Sequence, residues 1–345
     1  MNILSWIASF FVATNSVPVV SNSVPVVTNT VTANVPALIA SGTFVRPAIY
    51  ADPDGTIYVA AEGPKMASVW SFVRGSNGKW TGSKVVTASK ETALRTYVAS
   101  VLPGVIAFRY GNKEAGKLHG VGTYRNGKEQ FEGFSTGAAR LALSLDGPIC
   151  MSKDGIWKNL KTGKIGNYNA GSTGEKFSLA ISGKNWATCH NGCAKDPSSV
   201  SINGQRQVWA DYATYGKWYG IDMCYPDVAF GPNGSVWCAS ILNGRIKIQQ
   251  VVNGKLRWPA TALGDLGEAN VQDRCPPRLV TAQGRLWAFW VFKGSILRAD
   301  VESVLVGKSK PVRICAGSMP AVCTDAAGAL HIVYITAQGL NYKAL

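Results

Sequence analysis

Apolar residues fall in short runs along most of the chain, and each run is cut by Gly, Asn, Asp, Pro or Ser. Runs that short, rich in Val, Ile, Tyr, Trp and Thr, predict strands rather than helices. "DVAFGPNGSVWCA" (227–239) reads as two strands folded about a Pro-Asn-Gly turn. "PAIYADPDGTIYVA", "PPRLVTAQGRLWAF" and "PAVCTDAAGALHIV" repeat the form. Aligned, they share one spacing: Pro47–Gly55–Tyr58, Pro226–Gly234–Trp237, Pro276–Gly284–Trp287 and Pro320–Gly328–His331. Weaker copies at Gly104, Gly147 and Gly183 fill the gap between the first and second.

A second turn follows the first six anchors: "SNGKW", "RNGKE", "KTGKI", "INGQR", "VNGKL" and "VGKSK". Asn-Gly tolerates positive φ at both central residues of a tight hairpin. Each unit is therefore two hairpins, or four antiparallel strands. Four strands recurring at 44 to 50 residues, the spacing of the last three anchor glycines, predict a propeller blade. Seven units predict an all-β, seven-bladed β-propeller over residues 35–345.

The last unit has only 17 residues after Gly328, too few for a fourth strand. An unpaired edge is a liability, so residues 35–45, "VPALIASGTFV", are expected to supply the missing strand and close the ring. The aromatic positions Tyr58, Trp186, Trp237, Trp287 and His331 are expected to fill the core between blades.

Ahead of the ring, residues 1–34 form a separate segment. Asn15–Val20 and Asn22–Val27 are the same hexapeptide, NSVPVV, and the recurring proline forbids a continuous helix. "MNILSWIASFFVAT" resembles a signal h-region but has no basic residue before it. Linkers are commonly Gly-, Ser- or charge-rich. This valine-rich stretch instead reads as an anchor or stalk that packs against other subunits. No apolar run is long enough for a membrane span.

Charge sharpens the picture. Lys and Arg total 35 against 20 Asp and Glu, a net of +15, and residues 1–45 carry no charged side chain at all. A basic body behind a neutral lead predicts a polyanionic partner. Strand order puts the 1–2 and 3–4 turns on one face. Lys79, Lys128, Lys164, Arg206, Lys255 and Lys308 recur there as a candidate anion-docking rim. On the opposite face, where first strands begin, Arg46, Arg95, Arg140 and Arg274 mark the channel mouth, with Glu175, Asp222 and Tyr225 beside them.

Eight cysteines permit disulfides. Cys189 and Cys193 flank a short loop, and Cys224 and Cys275 precede equivalent prolines of adjacent blades, so both pairs are candidates. "CHNGC" lacks the second ligand pair of a zinc site, no cofactor motif is present, and no nucleic-acid-binding module appears.

The units "ADPDGTIYVA" and "AVCTDAAGALHIVYITAQGLNY" resemble the repeats of sialidase-like propellers of the bacterial neuraminidase type, over residues 44–345. The Asp-box of that group, Ser-x-Asp-x-Gly-x-Thr-Trp, is approached only by "SKDGIW" (152–157), which is one or two residues short. The resemblance implies an arginine cluster on a substrate carboxylate, to which Arg46, Arg95, Arg140 and Arg274 correspond, a Tyr–Glu pair, for which Tyr225 and Glu175 stand, and an Asp acid. With the pair's geometry unspecified, the sequence favours a non-enzymatic attachment protein. Its head would recognise an acidic or glycan receptor, and its N-terminus would anchor it in a viral or phage spike, at an extracellular or virion surface. A secreted sialidase-like glycan hydrolase or lectin is the alternative, and a protein-interaction hub the third reading.

Overall fold

The computed structural model describes residues 36–345 apart from 65–67, 88–91, 94–99, 113–116, 134–138, 153–154, 169–176, 191–197, 211–225 and 271–275. The expected stalk, residues 1–34, lies outside the described residues. Seven antiparallel sheets form a closed propeller, with blades at 45–87, 92–131, 139–167, 177–210, 227–268, 278–316 and 318–344. The first strand of each blade lies against the first strand of the next, all the way round.

The anchor glycines do what their spacing implies. All seven have positive φ, between 60° and 114°, where a side chain would be strained. In blades 2, 4 and 5 the second hairpin turns on Asn126–Gly127, Asn203–Gly204 and Asn253–Gly254, with both residues at positive φ.

The seventh blade is completed from the other end of the chain. Ala37–Ser41 pairs antiparallel with Gly339–Ala344 as the outermost strand. Gly339 sits at φ 142°, and a Cβ there would lie 2.1 Å from the Ala40 carbonyl oxygen, so only glycine admits the closing strand this closely.

The core is divided among the joints. Seven apolar clusters occupy the seven interfaces between successive blades. Polar links reinforce them. Glu132, at the end of blade 2, is fully buried. It accepts from the Thr123 hydroxyl and pairs with Lys158 of blade 3 at 2.9 Å. Burial raises its carboxyl, but Thr123, Lys158 and Arg125 outweigh that and hold it below the ordinary glutamate value.

The repeat is broken in three places. In blade 6 a short helix, Val301–Leu305, precedes "VGKSK" (306–310), which turns off its end instead of closing a hairpin; the helix is capped by Asp300, whose carboxylate accepts from the Ser303 N–H and hydroxyl. Val301 and Leu305 sink into the cluster between blades 5 and 6, so the segment gains more as a helix turn than as a hairpin. Blade 5 splits its outer strand into Lys255–Leu256 and Gly264–Glu268, around Pro259, which has no N–H for a ladder. The aromatic positions also divide: Trp237 and His331 are buried, Tyr58 and Trp287 are half-buried but pack against the clusters between blades 1 and 2 and between blades 6 and 7, and Trp186 is half-buried at the blade 3–4 cleft.

A chain beginning at residue 36 is expected to unfold cooperatively at the full-length temperature. One beginning at residue 42 leaves the 339–344 edge unpaired, and is expected to melt lower and aggregate. Thermal circular dichroism with size-exclusion chromatography decides this.

Candidate functional site

First strands line the central channel, so residues near their beginnings face its mouth. A cavity of about 220 Å³ lies there, bounded by Ala48, Ser100, Leu179, Asp227, Arg278 and Ala321 among others. Apolar side chains make most of its wall, and Asp227 and Arg278 are its charged members.

Asp227 opens the first strand of blade 5, Asp227–Phe230. One carboxyl oxygen accepts the Leu279 N–H at 2.8 Å, which ties blade 5 to blade 6. Burial raises this carboxyl above the ordinary Asp value, even though Arg278, the Leu279 N–H and Arg140 all pull it down. Desolvation is the largest of these effects. Arg278 reaches on to the Pro320 carbonyl of blade 7 at 3.4 Å. Arg140 starts blade 3 and its guanidinium lies over the Phe177 ring, 5.4 Å from the centroid.

Of the mouth residues expected from sequence, Arg140 is placed by the channel. Arg46 is not available there as expected. It is 8% exposed, and its guanidinium donates to both oxygens of the fully buried Glu62 at 3.1 Å. Arg46 also stands at φ 49° ahead of Pro47, and its N–H points to the Met319 sulfur, itself at φ 51° ahead of Pro320. These equivalent positions are where the first strands of blades 1 and 7 slip register. Arg95, Glu175, Asp222, Tyr225 and Arg274 lie outside the described residues.

The rim cations Lys79, Lys128, Lys164, Arg206, Lys255 and Lys308 are all exposed. Arg206 is held by the Ser199 hydroxyl at 2.9 Å. Lys308 follows the blade 6 helix rather than a hairpin, its N–H on the Ser303 carbonyl.

The expected Cys189–Cys193 bridge does not appear. Cys189 is a buried free thiol, packed with Cys238 of the next blade, and burial pushes it well above the ordinary thiol value. Cys193, Cys224 and Cys275 lie outside the described residues. His331 is buried between Tyr342 (2.7 Å) and Asp325 (3.0 Å), a structural link within blade 7.

Sequence reasoning misses Asp227 and Arg278, although a signal for them exists. The repeat puts Ala48, Ile49, Ala321 and Val322 at these first-strand positions. A charge where a repeat expects an apolar wall marks a departure from scaffold duty.

No family model matches the chain, and no curated protein matches it. It is similar to solved structures that include a PL25 ulvan lyase (10% identity, TM-score 0.48, covering 89% of this chain and 94% of that one). Others are a fungal AA5 alcohol oxidase in complex with copper (10%, 0.46, 88% and 76%) and the AfRom2 CNH domain (10%, 0.45, 90% and 98%). At these identities the likeness concerns the propeller fold, and no specific tie to sialidases emerges. The expectation of a non-enzymatic attachment head, with its spike and virion setting, needs correction. The similar structures include catalytic ones, a lyase and an oxidase among them; they share the fold alone, and they lend the attachment reading no support. The chemistry has to come from this chain's own residues.

Glu62→Gln removes the negative charge from the buried Arg46–Glu62 pair and is expected to cost about 3–5 kcal/mol. The double replacement Arg46→Met with Glu62→Leu is expected to recover most of that, read by urea denaturation.

Proposed function

We propose that the protein is a carbohydrate-active enzyme acting on the end of an acidic glycan, with the central channel as reaction site and Asp227 as proton donor. The observation that carries this reading is a carboxyl raised above its usual range at the channel cavity, beside the guanidinium groups of Arg278 and Arg140. Perturbed carboxyls in a cleft are candidates for acid–base work.

Each part has a physical role. Arg278 and Arg140 offer planar, permanently charged forks to a sugar carboxylate. A bound carboxylate would neutralise the charges that now pull Asp227 down. Substrate binding would therefore raise the Asp227 carboxyl further and favour its proton-donating form. The Leu279 N–H occupies one oxygen and orients the group, leaving the other to deliver a proton to a glycosidic oxygen. The cavity is smaller than the roughly 300–1,000 Å³ of drug-sized ligand sites. That size suits a terminal sugar better than the middle of a chain.

Asp227→Asn keeps the acceptor for Leu279 but loses the proton. Release of methylumbelliferone from glycosides of sialic or hexuronic acid should fall by about 10²–10⁴-fold, with KM little changed, while Arg278→Ala should chiefly raise KM. In the wild type, activity should be lost as pH rises through the raised Asp227 value. The stability sign is the same. A raised carboxyl favours the fold below the ordinary Asp value, and this is lost as pH rises through the raised one. Asp227→Asn should therefore melt no lower than wild type at neutral pH. Undiminished turnover in Asp227→Asn, or no turnover of any acidic glycoside by the wild type, would sink the reading.

A further inference from the structure

A larger cavity lies away from the channel. It lies on the turn face between blades 3 and 4, with a volume of about 980 Å³. This is also where the core is thinnest. The cluster joining blades 3 and 4 contains only two fully buried apolar residues among those described, Met151 and Phe177, whereas every other joint has at least seven. Trp157 and Tyr168 pack against this small cluster on one side and line an open cleft on the other.

Its wall is aromatic. Tyr168 and Trp186 are stacked, centroids 4.3 Å apart and planes at 21°, and Trp157 leans on Tyr168 at 5.5 Å. The Trp157 indole lies across Gly166, where a Cβ would fall 2.4 Å from the ring. Lys161, Lys164 and Lys184 stand around the opening, against one carboxylate, Asp146. Leu145, on the lip, is 72% exposed. An exposed apolar surface edged with cations marks a binding site more often than idle surface.

A second cavity of about 450 Å³ lies between blades 4 and 5 and shares Asn185 with the first as a wall residue. That one is lined by Asn203, Gln205, Gln207 and Asn253, and no charged side chain lines it among the described residues. Hydrogen bonds already set some of these carboxamides: Asn203 donates to Asn185 at 3.0 Å, and Gln207 to the Gly254 carbonyl at 2.7 Å.

We infer that this groove across blades 3 to 5 is a second ligand site, separate from the channel, that holds an acidic polysaccharide chain. The aromatic wall offers flat apolar faces to sugar rings, the three lysines meet carboxylates, and the carboxamides meet hydroxyls. One observation favours a glycan over single-stranded nucleic acid. The carboxamides of the second cavity suit ring hydroxyls, of which a sugar offers several and a nucleotide within a strand one at most. The inference does not depend on the channel reading.

The test is affinity electrophoresis of the full chain in gels containing polygalacturonate, with dextran as neutral control and oligo(dT) as competitor. Polygalacturonate should retard the wild type, and dextran should not. Lys184→Glu, at an exposed position that leaves folding intact, should weaken retardation about tenfold. Gly166→Ala, which displaces Trp157, should weaken it as well, with melting monitored alongside. The inference is overturned if Lys184→Glu binds polygalacturonate normally, if dextran retards the wild type equally, or if oligo(dT) is bound more tightly than polygalacturonate.

Discussion

Closure of the ring rests on one pairing, that of Ala37–Ser41 with Gly339–Ala344. Without it, the last blade presents an open edge and the first blade loses part of its packing surface, because Ile39 and Ala40 help to cover the cluster between blades 7 and 1. Every blade is held mainly by its two neighbours, so a propeller has no independent centre to fall back on. A single strand at the seam therefore bears on the stability of the whole. The seam is also where the backbone is most unusual. Arg46 and Met319 take positive φ in equivalent places, and the buried Arg46–Glu62 pair stands directly behind them. Strain of this kind persists only where surrounding structure over-determines it, and the closing strand and the ion pair supply that constraint.

The two faces of the ring then divide the work by geometry. First strands converge on the axis, so a few side chains at their beginnings meet in a small, poorly solvated space. That is where burial raises the Asp227 carboxyl against the pull of two arginines. The hairpin turns diverge outward on the other face, so neighbouring blades splay and leave grooves rather than a pocket. Blade 3 has short outer strands, Ile156–Asn159 and Ile165–Asn167, and the groove beside it is correspondingly wide. A charged, desolvated channel suits a single proton transfer. A broad groove with an aromatic floor suits contact with several sugar units.

Much of this architecture is legible in the order of residues alone. The anchor glycines, the Asn-Gly turns, the count of seven and the need for a closing strand all follow from local rules. Positive φ selects glycine, proline avoids the interior of a ladder, and an incomplete blade must borrow a strand. Register alone also places Arg140 at the start of blade 3. What escapes is chemistry that depends on the neighbours. Arg46 reads as a mouth arginine until Glu62, sixteen residues on, is seen to hold it. Trp186 reads as core until Tyr168 is seen to stack on it at the edge of a cleft. Asp227 reads as one more strand residue until burial and the Leu279 N–H reveal its altered carboxyl.

The sequence by itself determined the fold, because each blade is built from contacts a few residues apart and repeated seven times. Only the tertiary structure decided which charges are available and which are spent. Desolvation and ion pairing depend on side chains brought together from different blades, as with Asp227 of blade 5 beside Arg278 of blade 6, and no local pattern encodes those distances. The same holds for the thin joint between blades 3 and 4. Its residues are apolar enough to form a core, and only their packing shows that Trp157 and Tyr168 line a groove on their other side.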